Sequence, residues 1–133
     1  MNNAELEKKI KQLVHSLAYQ KGFVCSVDVL LALGYLSKQD YEAWRFGKVD
    51  YLERVCKLNL NKLSLINRTM RRFAVELKLE ASITGYSKFG KGTRAKLVFS
   101  KSGDPKIEVA YATHYVDKDR IIEMRANKSG EEQ

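Results

Sequence analysis

Residues 60–79 constrain this fold more than any other stretch of the chain. Set out at 100° per residue, Leu63, Ile66, Met70, Phe73, Ala74 and Leu77 fall within one arc of about 100°. Arg68, Arg71, Arg72 and Lys78 project from the opposite side, with Asn61, Ser64 and Asn67 near them. A helix divided in this way needs a second element over its apolar face and leaves a basic strip outside. It is predicted from Leu60 to about Leu79, with Asn59 or Asn61 as its cap.

The partner elements are legible on either side. Asn3 to Gln20 reads as an amphipathic helix with Leu6, Ile10, Leu13, Val14, Leu17 and Ala18 on one stripe, ended by Gly22. Phe23-Val24-Cys25 is a short apolar connector of strand character. Ser26 is an expected N-cap for a helix over Val27 to Leu33, closed by Gly34, and Ser37 opens another to about Phe46. Joined through Gly34-Tyr35-Leu36, these two form a helix-turn-helix-like pair. A third short helix is expected from about Val49 to Lys57.

After Glu80 the texture changes. Ser82 to Phe89 and Thr93 to Ser100 are rich in β-formers around Gly90-Lys91-Gly92, which predicts a basic β-hairpin. Alternation turns Ala95, Leu97 and Phe99 inward. Asp104-Pro105 is helix-start chemistry, but Ile107 to Val116 fits a helix or a strand; the cap favours helix. The fold class is therefore α+β, one domain over residues 1–126. Its helical part covers about 3–80, its hairpin-containing part about 81–126, and a frayed tail is expected over 127–133.

Charge is unevenly distributed. The 133 residues carry a formal net charge of +8, and residues 58–106 alone, with 11 basic and 3 acidic side chains, account for +8. Such a field attracts phosphate backbones and other polyanions. The leading expectation is a non-catalytic nucleic-acid-binding, DNA-binding type of protein. Arg68, Arg71, Arg72 and Lys78 on the helix, and Lys88, Lys91, Arg94, Lys96 and Lys101 on and after the hairpin, grip phosphates. Tyr86 is the exposed ring that stacks on a base, while Phe89 and Phe99 are expected in the core. Phosphate charge alone does not separate DNA from RNA, or single strands from duplex.

The second reading is a protein-binding adaptor or inhibitor that uses the basic face, or the aromatic region around Trp44 and Arg45. The third is a small metal-dependent nuclease in which His114 works with Glu108, Asp117 and Asp119. The run Gly85 to Thr93 nearly spells a phosphate-binding loop. Gly92 stands where the hydroxyl is required, though, and a strand follows instead of a helix, so that motif is rejected. No catalytic residue, resident metal or cofactor is assigned. Cys25 and Cys56 form no zinc-type pair and are too few for a disulfide framework, which favours a reducing cytoplasm. The opening residues read as no secretory signal, and no apolar run is long enough to cross a bilayer.

Leu33-Gly34-Tyr35-Leu36-Ser37, Tyr41-Glu42-Ala43-Trp44-Arg45 and Tyr51-Leu52-Glu53-Arg54-Val55 together resemble a family of short bacterial proteins with no assigned activity. Phe99-Ser100-Lys101-Ser102-Gly103-Asp104-Pro105-Lys106-Ile107-Glu108 and Ala110-Tyr111-Ala112-Thr113-His114 are similar to that family's C-terminal half. The resemblance covers roughly residues 27–116. It implies a bacterial or phage-borne intracellular protein with these segments in one compact unit, and transfers no functional residue.

Overall fold

A computed structural model of the chain describes residues 1–92 and 94–131. Thr93, which opens the expected second strand of the hairpin, and residues 132–133 of the expected tail lie outside the described residues. The chain is α+β. Its helices are α1 (Asn3–Lys21), α2 (Ser26–Leu33), α3 (Lys38–Arg45), α4 (Leu60–Glu76), α5 (Pro105–Ala112) and α6 (Lys118–Glu131). Strands β1 (Phe23–Cys25), β2 (Glu80–Ile83) and β3 (Thr113–Val116) form an antiparallel sheet in the order β1-β3-β2. Tyr115 of the central strand lies opposite Val24 on one edge and Ala81 on the other. Among the described residues no helix is long and apolar enough to cross a membrane.

The long helix finds its cover in α1. Leu63, Ile66, Met70, Phe73 and Ala74 are buried on α4, and Leu6, Ile10, Val14 and Ala18 are buried on α1. Each of these side chains removed from water contributes about 1.5–3 kcal/mol, Ala less, so the two stripes dominate the packing of this half. Both helices are capped as their sequences direct. The Asn2 side chain accepts from the Glu5 N–H at 2.8 Å, and Asn59 accepts from the Lys62 N–H at 2.9 Å.

Gly22 ends α1 in the left-handed region, φ 81°, with its N–H on the Ala18 carbonyl. A Cβ there would come within 2.5 Å of the Ile121 side chain, so both backbone and space require glycine. That contact also anchors α6. The Asp117 N–H donates to the Gly22 carbonyl, and Arg120 Nε–H donates to the Tyr19 carbonyl at 2.7 Å. Asp117 caps α6 through the Arg120 N–H. Helix α6 runs from this anchor to Glu131.

Several elements differ from expectation for identifiable reasons. Helix α4 stops at Glu76 because Lys78 takes φ 59°, and its turn is closed by Leu79 N–H to Ala74 O and Lys78 N–H to Val75 O. That Schellman-type ending is usually marked by glycine, which is absent here. Ser26 is the first residue of α2 rather than its cap, and its hydroxyl donates to Asn67 Oδ1 at 2.6 Å. The third short helix is a 3-10 turn over Leu52–Val55.

The expected hairpin is short: among the described residues Ser87 pairs antiparallel with Lys96, with the Lys88 N–H on the Ala95 carbonyl and the Leu97 N–H on the Tyr86 carbonyl, while residues 80–83 pair instead with β3. Farther along, the Val98 and Phe99 carbonyls accept from Leu52 and Glu53 N–H groups, so the second strand is held by the 3-10 turn. Leu97 and Phe99 point inward as expected, but Ala95 is exposed. The ambiguous stretch 107–116 is both things in succession, the end of α5 and then β3.

Candidate nucleic-acid interface

Beyond β2 the chain leaves the sheet as a basic loop that docks on the end of α3. Arg45 organises it: the guanidinium lies 3.9 Å from the Phe89 ring centroid and 5.0 Å from that of Tyr86. The Phe89 N–H donates to the Arg45 carbonyl. Phe89 is thereby held beside Phe46, the two rings meeting edge to face at 5.6 Å and 73°. Both remain open to solvent, Phe46 at 46% and Phe89 at 40%. Lys48, Lys88, Lys91, Arg94 and Lys96 are exposed around and along this loop, and none takes an ion pair among the described residues. Residues 85–96 contain no acid.

The rings sort differently from the expectation. Tyr86 is buried, not exposed, and its hydroxyl sits 3.0 Å from His114 Nε2 and 3.7 Å from Cys25 Sγ. Phe89, expected in the core, supplies the exposed ring instead, together with Phe46. Phe99 is core as expected. Trp44 is completely buried, its indole N–H donating to the Val98 carbonyl at 2.9 Å, so it is not a surface anchor for a partner. Arg45 is half-buried and committed to the ring stack. The alternation that buries Phe99 stops short of Phe89, because the loop crosses over α3 there.

The helix cations divide between two sides. Arg72 leans toward α1, 3.5 Å from Glu7 and over the Phe73 ring. Lys78 is exposed at the helix end. Arg68 and Arg71 line a groove of about 1140 Å³ bounded by α4, α5 and the β2–β3 pair, and Lys101 and Lys106 line it too. The basic side of α4 is thus divided: Arg68 and Arg71 are exposed along the groove, Arg72 is drawn to Glu7, and Lys78 stands apart at the helix end.

Two carboxylates shape that groove without being free in it. Glu53 accepts from the Tyr111 hydroxyl at 2.7 Å and from the Lys101 N–H at 3.0 Å. Glu108 turns inward and accepts from the Phe99 N–H, the Ser100 N–H and the Ser100 hydroxyl, at 2.9, 2.7 and 2.6 Å. Their positioning roles have no local sequence signature, since their partners come from loops that the fold brings in. Lys106, counted in the charge of residues 58–106, and the aliphatic lining of the groove were not among the expected contact residues.

Burial shifts the titration of several interior groups. Burial pushes the thiols of Cys25 and Cys56 up to about 12, so both stay protonated at neutral pH. Burial likewise raises the phenols of Tyr86 and Tyr111, the latter also through its hydrogen bond to Glu53. Burial lowers the pKa of His114, which stacks on Phe23 at 5.0 Å. His114 and Glu108 are not brought together, each having its own hydrogen-bond partners. Among the described residues no three His, Cys, Asp or Glu side chains gather as a metal-ligand group. No protein-family model, curated protein or solved structure matches this chain.

Proposed function

We propose that this chain is a non-catalytic nucleic-acid-binding protein whose contact surface is the basic loop with the Phe46–Phe89 pair. The observation that carries the reading is the exposed edge-to-face ring pair set among cations that take no ion pair among the described residues. Lys48, Lys88, Lys91, Arg94 and Lys96 neutralise phosphates, and the rings offer a surface for unpaired bases. That combination favours single strands, because duplex bases present no open face.

The test is a salt-series titration against labelled single-stranded DNA, RNA and duplex DNA. Five phosphate contacts on a single strand give a slope of about −3.5 in log K against log salt. Removing Lys88 and Lys91 together lowers the magnitude of that slope by about 1.4. Absence of binding at low salt, or affinity unchanged in a folded Lys88→Ala/Lys91→Ala variant, overturns the proposal.

A further inference from the structure

The groove beside α4 differs from the basic loop in what covers its floor. Leu60, Val75, Ile83, Ile107 and Val109 line it, and they are 60%, 62%, 68%, 41% and 45% exposed. Large aliphatic side chains left this open on three separate elements, and converging on one concavity, mark a surface that another molecule covers. The face of α4 that carries Leu60 and Val75 is not the one that packs on α1, so the patch is no extension of the core.

The rim gives the partner its chemistry. Arg68 and Arg71 come from α4, and Lys101 and Lys106 from the start of the α5 region. The one acidic side chain in the lining is Glu53, and both its oxygens already accept hydrogen bonds from Tyr111 and Lys101. Four cations therefore face the groove with no free carboxylate to answer them. The two rings in the lining, Tyr111 and Tyr115, are 1% and 7% exposed, so a nucleobase finds no open face to stack on.

We infer that this groove docks a protein segment that presents an aliphatic face flanked by carboxylates. The aliphatic face covers the floor, and the carboxylates pair with Arg68, Arg71, Lys101 and Lys106. Arginine pairs of this kind take carboxylates in a bidentate geometry and fix register as well as affinity. Glu108 supports the arrangement from behind. By holding the Phe99 and Ser100 backbone it fixes the loop that carries Lys101 against the start of α5. This site is separate from the loop proposed for nucleic acid, and each stands or falls without the other.

The probe is a fluorescein-labelled peptide of leucine and glutamate, about 18 residues and so about 27 Å as a helix, with its leucines along one face. Two controls accompany it: the same composition scrambled to erase the face, and the same pattern with lysine for glutamate. Anisotropy titrations are expected to show binding of the patterned acidic peptide alone. Arg68→Ala/Arg71→Ala and, separately, Val75→Ser/Ile83→Ser each weaken it by about tenfold or more. The replaced side chains are exposed, and thermal melts confirm that the variants fold; Ile107→Ser on α5 serves if either pair does not. Equal binding of either control peptide, no binding at all, or indifference to the serine variants overturns the inference. Oligonucleotide affinity that falls on Val75→Ser/Ile83→Ser reassigns the groove to nucleic acid. Self-association abolished by the same change reassigns it to a second copy. Either outcome also overturns the inference.

Discussion

Trp44 and Phe46 lie two residues apart at the end of α3 and meet opposite fates. Trp44 is fully buried, 5.2 Å from Phe99 and 5.6 Å from Tyr86, while Phe99 stacks on Tyr111 at 5.5 Å. Every polar tip in that interior cluster has a partner: the indole N–H on Val98, the Tyr111 hydroxyl on Glu53, the Tyr86 hydroxyl at His114. Phe46 and Phe89 form a second, smaller aromatic group just outside, 46% and 40% exposed, with Arg45 on the boundary between the two. The same residue class thus serves two purposes on either side of one arginine. Inside, rings fill volume and their polar atoms tie loops together. Outside, rings without polar tips are left open and set among cations.

The comparison is broken most forcefully from the inside. Trp44→Ala removes the largest fully buried side chain and leaves the Val98 carbonyl with the Leu52 N–H alone, and is expected to destabilise the protein by about 3–5 kcal/mol. Chemical denaturation measures it; a loss below about 1 kcal/mol contradicts the account of Trp44 as a core residue. Next comes Glu108→Ala, which strands the Phe99 and Ser100 N–H groups that close the cluster's loop. Its expected cost is about 2–3 kcal/mol, with faster amide exchange at those two positions. Phe46→Ala lies on the other side of Arg45. It should change stability by no more than about 0.5 kcal/mol, yet weaken single-strand binding by about 1–3 kcal/mol. A large stability loss there would erase the distinction between the two groups.

Sequence reading recovered the helical frame because helices declare themselves locally. Asn59, Ser37, Gly22 and Asp104-Pro105 all do what their chemistry directs, and the stripe on α4 is buried from Leu63 to Ala74, with Leu77 half-buried just past the helix. The sheet was harder. Strands β1, β2 and β3 are three or four residues each, and β2 pairs with a strand 30 residues farther on, so no turn signal announces the pairing. The rings were harder still. Tyr86 and Phe89 occupy one short glycine-flanked stretch, and only tertiary contacts separate them: Tyr86 packs on Trp44, Phe99 and His114, while Phe89 meets Arg45 and Phe46 at the surface. The cations were legible as a charge count, but their division between loop, groove and the Glu7 pair depends on how α1, α4 and α5 pack.

The smallest effect tests the inner cluster by titration. His114 is half-buried between Phe23 and Tyr86, and burial lowers its pKa, so the folded protein holds the imidazole neutral at pH values where the unfolded chain already protonates it. The unfolded state binds more protons from about pH 6.5 down to the lowered folded value. Stability from this group is therefore fully present above about pH 6.5 and is lost as the pH falls through that window, flattening below it. The nearby charges act in opposite senses, Asp28 favouring the proton and Lys21 opposing it, and the pair they form at 2.7 Å limits what either contributes. In a His114→Gln variant, which keeps an acceptor for the Tyr86 hydroxyl, the difference in melting temperature between pH 7.5 and about pH 5.5 should shrink relative to the parent. A larger difference would mean that the protonated ring is the form the cluster favours, and that Tyr86 accepts from His114 rather than donating to it.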